Sequence, residues 1–250
     1  MTIPTLSADG KVVVVTGGSK GLGRAMALGF AEAGADVVVA SRKLEPCEAV
    51  AAEVRALGRR ALAVSCHVGD WDQCEQLVTA AVDEFGRIDV LVNNAGIAPV
   101  PPSLLGITSD LFDKTIAVNL KGPLRLTALA AEHMPAGGAV INISSMASMR
   151  PAPSTVVYAA AKAGQNALTR AAAQEFGPRG IRVNSIVCGT FDTDSLRASL
   201  SRTPEAGARL AANVSLGRIA DADEIVGTAL FLASSASSYL TGDLIVLNGG

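Results

Sequence analysis

Tyr158 and Lys162 stand four residues apart in an alanine-rich stretch with helical periodicity over 155–176, a separation that puts both side chains on one helix face. A tyrosine of ordinary pKa about 10 is a poor acid–base group near neutrality, and an ammonium beside it favours the phenolate and lowers that value. The chain has only two tyrosines and six lysines, so their meeting at helical spacing is informative. Ser145 lies 13 residues before Tyr158, just beyond the apolar run Val140–Ile143. Asn119, a polar residue in an apolar helical stretch, needs hydrogen-bond partners of its own.

A second constellation opens the chain. The first apolar run leads into Thr16-Gly17-Gly18-Ser19-Lys20-Gly21-Leu22-Gly23 and then a helical stretch. Glycines let backbone approach a pyrophosphate, and the helix N-terminus favours its charge. In a dinucleotide site, a carboxylate at the end of the second strand takes the ribose hydroxyls of NAD, and a basic residue takes the 2′-phosphate of NADP. Here that strand ends Ala40-Ser41-Arg42-Lys43. No carboxylate stands there, which points to NADP.

The elements that must position these residues follow from the hydrophobic pattern. Val12–Val15, Val37–Val39, Ala61–Val64, Ile88–Val92, Val140–Ile143, Ile181–Val187 and Leu244–Leu247 are short apolar runs that read as seven buried strands. Between them the periodicity predicts helices over Leu22–Ala33, Glu45–Leu57, Trp71–Phe85, Ser109–His133, Thr155–Phe176 and Asp223–Ala233. Gly34, Gly58, Gly86 and Gly177 stand where helix C′ residues belong. Such alternation specifies an α/β fold, a doubly wound parallel seven-stranded Rossmann sheet, read as one domain over 1–250. The long irregular stretches 97–108 and 190–214 follow strand carboxyl ends, where ligands of such sheets bind. The second is expected to be a substrate lid.

Composition sets the outer bounds. The 250 residues are 49% hydrophobic, with 21 basic and 23 acidic side chains and a net charge of −2. That excludes intrinsic disorder and gives no electrostatic case for nucleic acid or an anionic membrane as partner. Four cysteines without a CxxC pair argue for a reducing compartment. Cys66, His67 and Cys74 match no usual zinc spacing, so no metal is expected. With no apolar run near the ~20 residues of a bilayer span and no secretory signal pattern at the N-terminus, the expectation is a soluble cytoplasmic protein.

From Lys11 to Gly250 the sequence resembles the short-chain dehydrogenase/reductase family in its short, single-domain form. The resemblance rests on the TGxxxGxG turn, Asn93-Asn94-Ala95-Gly96, Ser145, the Tyr158/Lys162 pair and Val183-Asn184-Ser185-Ile186. It implies that Asn119, Ser145, Tyr158 and Lys162 form the catalytic set, Asn119 holding a water that links Lys162 to solvent. It implies a cofactor site comprising Gly17, Ser19, Lys20, Gly21, Leu22, Gly23, Ser41, Arg42, His67, Val68, Asn94, Ala95, Gly96, Tyr158, Lys162, Gly189 and Thr193. Lys20, just before the second glycine of the turn, is in this family a further indicator of NADP. Three positions depart from the pattern. His67 replaces the Asp that usually bonds the adenine amino group, Cys188-Gly189 replaces Pro-Gly after the sixth strand, and Asn248 replaces the Asp of the closing Asp-Gly-Gly.

The expected activity is reversible NADPH-dependent reduction of a ketone or 3-oxoacyl carbonyl to a secondary alcohol, with Tyr158 donating the proton. Ile97, Pro99, Met146, Met149, Arg150, Leu196 and Leu200 are candidate substrate contacts. The stretch His133–Gly138 carries no Lys or Arg, which ranks carrier-protein substrates below free or CoA-linked ones. A non-catalytic NADP-binding sensor or scaffold, and an epimerase or dehydratase on the same fold, stand as alternatives. A homotetramer assembled through the helices over 109–133 and 155–176 is the family expectation.

Overall fold

The computed structural model describes residues 6–194, 196, 197 and 204–250. Its strands are β1 (Val12–Thr16), β2 (Asp36–Ser41), β3 (Ala61–Ser65), β4 (Val90–Asn93), β5 (Ala139–Ser145), β6 (Arg182–Cys188), β7 (Phe191–Asp192), β8 (Ala220–Asp221) and β9 (Leu244–Leu247). Seven of them form one sheet in the order β3-β2-β1-β4-β5-β6-β9, every pairing parallel. Its helices are α1 (Gly21–Glu32), α2 (Leu44–Ala56), α3 (Trp71–Phe85), α4 (Ser109–Ile116), α5 (Gly122–Glu132), α6 (Val156–Phe176), α7 (Pro204–Ala212) and α8 (Val226–Ala233). This is the doubly wound Rossmann architecture expected from the pattern.

The core lies in two layers. Val13 and Val15 face one way, into Met26, Phe30 and Leu232 of α1 and α8, while Val14 faces the other, toward Leu77, Leu126 and Ala172 of α3, α5 and α6. The alternation of one strand between two apolar layers explains why β1 is apolar without interruption. Strand order reverses between β1 and β4, and the crevice that opens at their carboxyl ends is where such sheets bind ligands.

Several expectations change. β3 and β9 are the sheet edges and are half-buried rather than buried. The single helix expected over Ser109–His133 is interrupted by a π-helical turn at Ala117–Lys121, which contains Asn119, and it ends at Glu132. Gly177 has right-handed backbone and opens a short 3-10 turn; the left-handed residue that ends the segment is Gly180, at φ 75°. Asp223–Ala233 likewise begins as a 3-10 turn, Ala222–Ile225, before α8. The expected lid, 190–214, carries β7, paired with β8, and α7; residues 195 and 198–203, including the candidate Leu200, lie outside the described residues.

Candidate active site

The glycine turn is built from opposing local demands. Lys20 occupies the N-cap of α1 but no side chain caps this helix, and its first turn has no acid. By contrast α3 is closed by Asp70, whose carboxylate accepts the N–H groups of Asp72 and Gln73, each at 3.1 Å. The first N–H groups of α1 therefore remain for an anionic ligand, which the helix dipole favours. Gly17 and Gly21 hold left-handed backbone, at φ 63° and 51°. A Cβ on Gly23 would lie 2.2 Å from the Gly17 carbonyl oxygen. Leu22 packs on the core, half-buried Ser19 sits within the turn, and Thr193 overhangs Gly21, its methyl 3.4 Å from where a Cβ would stand. A cradle of bare backbone with unpaired donors fits the pyrophosphate of a dinucleotide.

Asn94 ties this turn to the centre of the sheet. Its Nδ2 donates to the carbonyls of Thr16 at 2.8 Å and Gly17 at 3.2 Å. The Thr16 hydroxyl accepts the N–H groups of Asn94 and Ala95 and donates to the Val92 carbonyl, at 3.0, 3.1 and 3.1 Å. At the ribose end, Ser41 closes β2 half-buried, and Lys20, Arg42 and Lys43 are exposed. These three cations enter none of the ion pairs among the described residues. His67 is exposed and its ring packs over Gly69, where a Cβ would come within 2.8 Å. The Val68 carbonyl accepts the Cys74 thiol at 3.2 Å, while its N–H has no hydrogen-bond partner among the described residues.

The catalytic candidates converge at the carboxyl end of β5. Ser145 is its last residue; its hydroxyl accepts the Ala147 N–H at 3.2 Å and neighbours the Tyr158 phenol. Lys162 is 2% exposed, with Nζ 5.9 Å from the Tyr158 ring centre. That nitrogen donates to the Ile143 carbonyl at 2.7 Å and to Gln165 Oε1 at 3.0 Å. An ammonium has three donors, so one remains. Asn119 is fully buried; its Nδ2 donates to the carbonyls of Ile97 and Thr115, at 2.8 and 2.9 Å, and its Oδ1 accepts the Ile97 N–H at 3.2 Å. Both amide protons are thus used, and one Oδ1 lone pair is left for a water. A Cβ on Gly96 would stand 2.9 Å from that Oδ1 and 3.9 Å from Lys162 Nζ, so bare backbone separates the two groups.

The electrostatics differ from the expectation in one respect. Burial pushes the Tyr158 phenol above its ordinary value; the Ser145 hydroxyl opposes this, and Cys188 adds to the rise. Burial also lowers the Lys162 ammonium to about 8, with Cys188 acting the other way. The thiol, at the β6 position paired with Ser145, is pushed up to about 12 by burial. Gly189 follows, and a Cβ there would lie 2.6 Å from Asn248 Cα, so the backbone after β6 lies directly on the C-terminal segment.

Three residues that hold the site had no signal in the motifs. Gln165, at helical i+3 spacing from Lys162, touches the ammonium directly. Ser148 donates to the Ser145 carbonyl at 2.6 Å and accepts Asn166 Nδ2 at 2.9 Å, which fixes the turn after the serine. Of the candidate substrate contacts, Ile97, Pro99, Met146 and Leu196 are half-buried, and Met149 and Arg150 are exposed.

Comparison with known proteins places this architecture. Residues 17–250 match the family profile described as enoyl-(acyl carrier protein) reductase. The chain is 39% identical over 247 residues to an L-rhamnose 1-dehydrogenase (NAD(P)(+)) of Azotobacter vinelandii, covering 96% of each chain. It is 39% identical over 256 residues to the 2-dehydro-3-deoxy-D-gluconate 5-dehydrogenase of Escherichia coli, covering 100% of this chain and 98% of the relative. The crystal structure of a blue fluorescent protein from a metagenomic library in complex with NADPH superposes with a TM-score of 0.90 at 35% identity, covering 98% of both chains. The chain belongs to the short-chain dehydrogenase/reductase family and is an oxidoreductase of it. Among the described residues, no helix is long and apolar enough to cross a membrane.

Proposed function

We propose that the protein is an NADP-dependent oxidoreductase that interconverts a carbonyl and a secondary alcohol, with Tyr158 as proton donor in the reducing direction. The observation that carries this reading is the convergence of the Ser145 hydroxyl, the Tyr158 phenol and the buried Lys162 at the carboxyl end of β5. When bound, the dinucleotide supplies or accepts the hydride. Ser145 and Tyr158 bond the substrate oxygen and align it, the phenol passes its proton to that oxygen, and Lys162 with Asn119 returns a proton to the phenol. A phenol kept protonated by burial suits a proton donor. The exposed, unpaired Lys20, Arg42 and Lys43, with no carboxylate at Ser41, support NADP; the rhamnose dehydrogenase relative, named for both NAD and NADP, makes exclusivity a matter for measurement.

For the substrate, the half-buried apolar residues Ile97, Pro99 and Met146 suit a ketone or 3-oxoacyl group. Sugar-compound dehydrogenases among the relatives favour a second reading, a polyhydroxylated substrate oxidised at a secondary or anomeric hydroxyl. Ketones and 3-oxoacyl-CoA esters run with NADPH deuterated at the transferred position, and aldoses deuterated at the anomeric carbon run with NADP+, test both. Deuterium passing from cofactor to carbinol carbon, or from the sugar to the cofactor, supports the proposal; conversion without net cofactor turnover, as in epimerisation, contradicts it.

A further inference from the structure

Lys162 carries a charge in a place that penalises it, and the groups around it are few. Its ammonium is faced by the Ile143 carbonyl from β5, by Gln165 from its own helix, by the Tyr158 ring and by the Cys188 thiol from β6. No carboxylate is among the groups acting on it. Gln165 is fully buried, and a long polar side chain is rarely placed in such a position without work to do. Its Oε1 accepts from the ammonium at 3.0 Å, while its Nε2 has no partner among the described residues. The bond to the ammonium is thus the one side-chain hydrogen bond Gln165 makes among them.

We infer that Gln165 is a positioning residue for the reaction, holding Lys162 charged and directed toward Tyr158 through its Oε1. The carbonyl of Ile143 fixes one proton of the ammonium and Gln165 fixes a second, so the third has a single direction left. Gln165 is itself anchored: its backbone carbonyl accepts the Thr169 hydroxyl at 2.9 Å, and that hydroxyl also meets Ser185 of β6 and Asn142 of β5, each at 2.9 Å. The helical turn that carries Gln165 is thereby tied to two central strands.

The inference rests on the proposed role of Lys162, and the test separates the two. Lys162→Met is made first; if it keeps full turnover, the catalytic reading fails and this inference with it. Given an inactive Lys162→Met, the pH dependence of carbonyl reduction is measured for the wild type, Gln165→Leu and Gln165→Glu. Hydrogen bonding to the charged form favours it, so removing Oε1 lowers the Lys162 value and leaves less ammonium at any pH above neutrality. The alkaline limb of kcat is expected to move down from its wild-type position by roughly one unit in Gln165→Leu, with KM for NADPH within about threefold. Gln165→Glu, close to isosteric and carrying a negative charge, moves the limb up. If Gln165→Leu does not fold, the upward shift of Gln165→Glu decides the matter. A purely packing role would lower activity evenly at all pH values, and limbs that superimpose on the wild type would overturn the inference.

Discussion

Lys162 has the most consequential environment of any single residue in the site. Its pKa falls from 10.5 to about 8 through burial, so keeping the ammonium at neutral pH costs about 3 kcal/mol of stability. The sign follows from the depressed value: the penalty is full below about pH 8 and disappears as pH rises toward 10.5. Lys162→Met removes that cost but leaves the Ile143 carbonyl and Gln165 Oε1 without their donor, which offsets about 2 kcal/mol. The variant should be inactive yet melt about 2–4 °C higher at pH 7, a result that scanning calorimetry would check. Tyr158 and Lys162 were legible in the sequence because their spacing is itself a geometric statement about a helix. The direction of the Tyr158 shift was not, since spacing says two groups are close but not how much water surrounds them.

At the scale of elements, β1 and β4 are joined at the crevice by Thr16 and Asn94 rather than by apolar packing alone. The buried Thr16 hydroxyl makes three hydrogen bonds, to Asn94, Ala95 and Val92. Replacing it with valine keeps the volume and strands those partners. At about 1 kcal/mol per bond, Thr16→Val should cost roughly 3 kcal/mol and lower Tm by roughly 5–10 °C; cofactor affinity should fall as well, because the glycine turn hangs from the same bonds. Thermal melts and fluorescence titration with NADPH would measure both effects. The strands and most helices follow from periodicity alone, since each is a run with one dominant spacing. The π-helical turn at Ala117–Lys121 does not: it preserves the apolar pattern on either side and shifts it by one residue, so only the backbone reveals that Asn119 stands at a break in the helix. Gly177 misled for a related reason. Pro178 after it looks like a helix stop, yet the chain makes one more turn before Gly180 reverses it.

For the whole molecule, apolar side chains left in water point outward in a pattern relevant to assembly. Phe112 of α4 and Leu124 of α5 are each 46% exposed, and Val246 on the edge strand β9 is 47% exposed. The exposed positions of α6 include Ala160, Ala163 and Ala167, small enough for close helix packing. These faces fit the expected homotetramer; sedimentation equilibrium should give about four times the 25.4 kDa chain mass, and a 25 kDa species would contradict it. The layers of the fold were legible because they are written in apolar runs, whereas the assembly is not, since an alanine face serves an interface and a monomer equally well. The central claim, that one phenol carries the proton of the reaction, is tested most directly by Tyr158→Phe. NADPH oxidation with a carbonyl substrate of the wild type and NADPH binding by fluorescence would be measured on the same preparation. Turnover is expected to fall at least about a thousandfold while the cofactor Kd stays within a few-fold; retained turnover with intact binding would show that the phenol does not carry the proton.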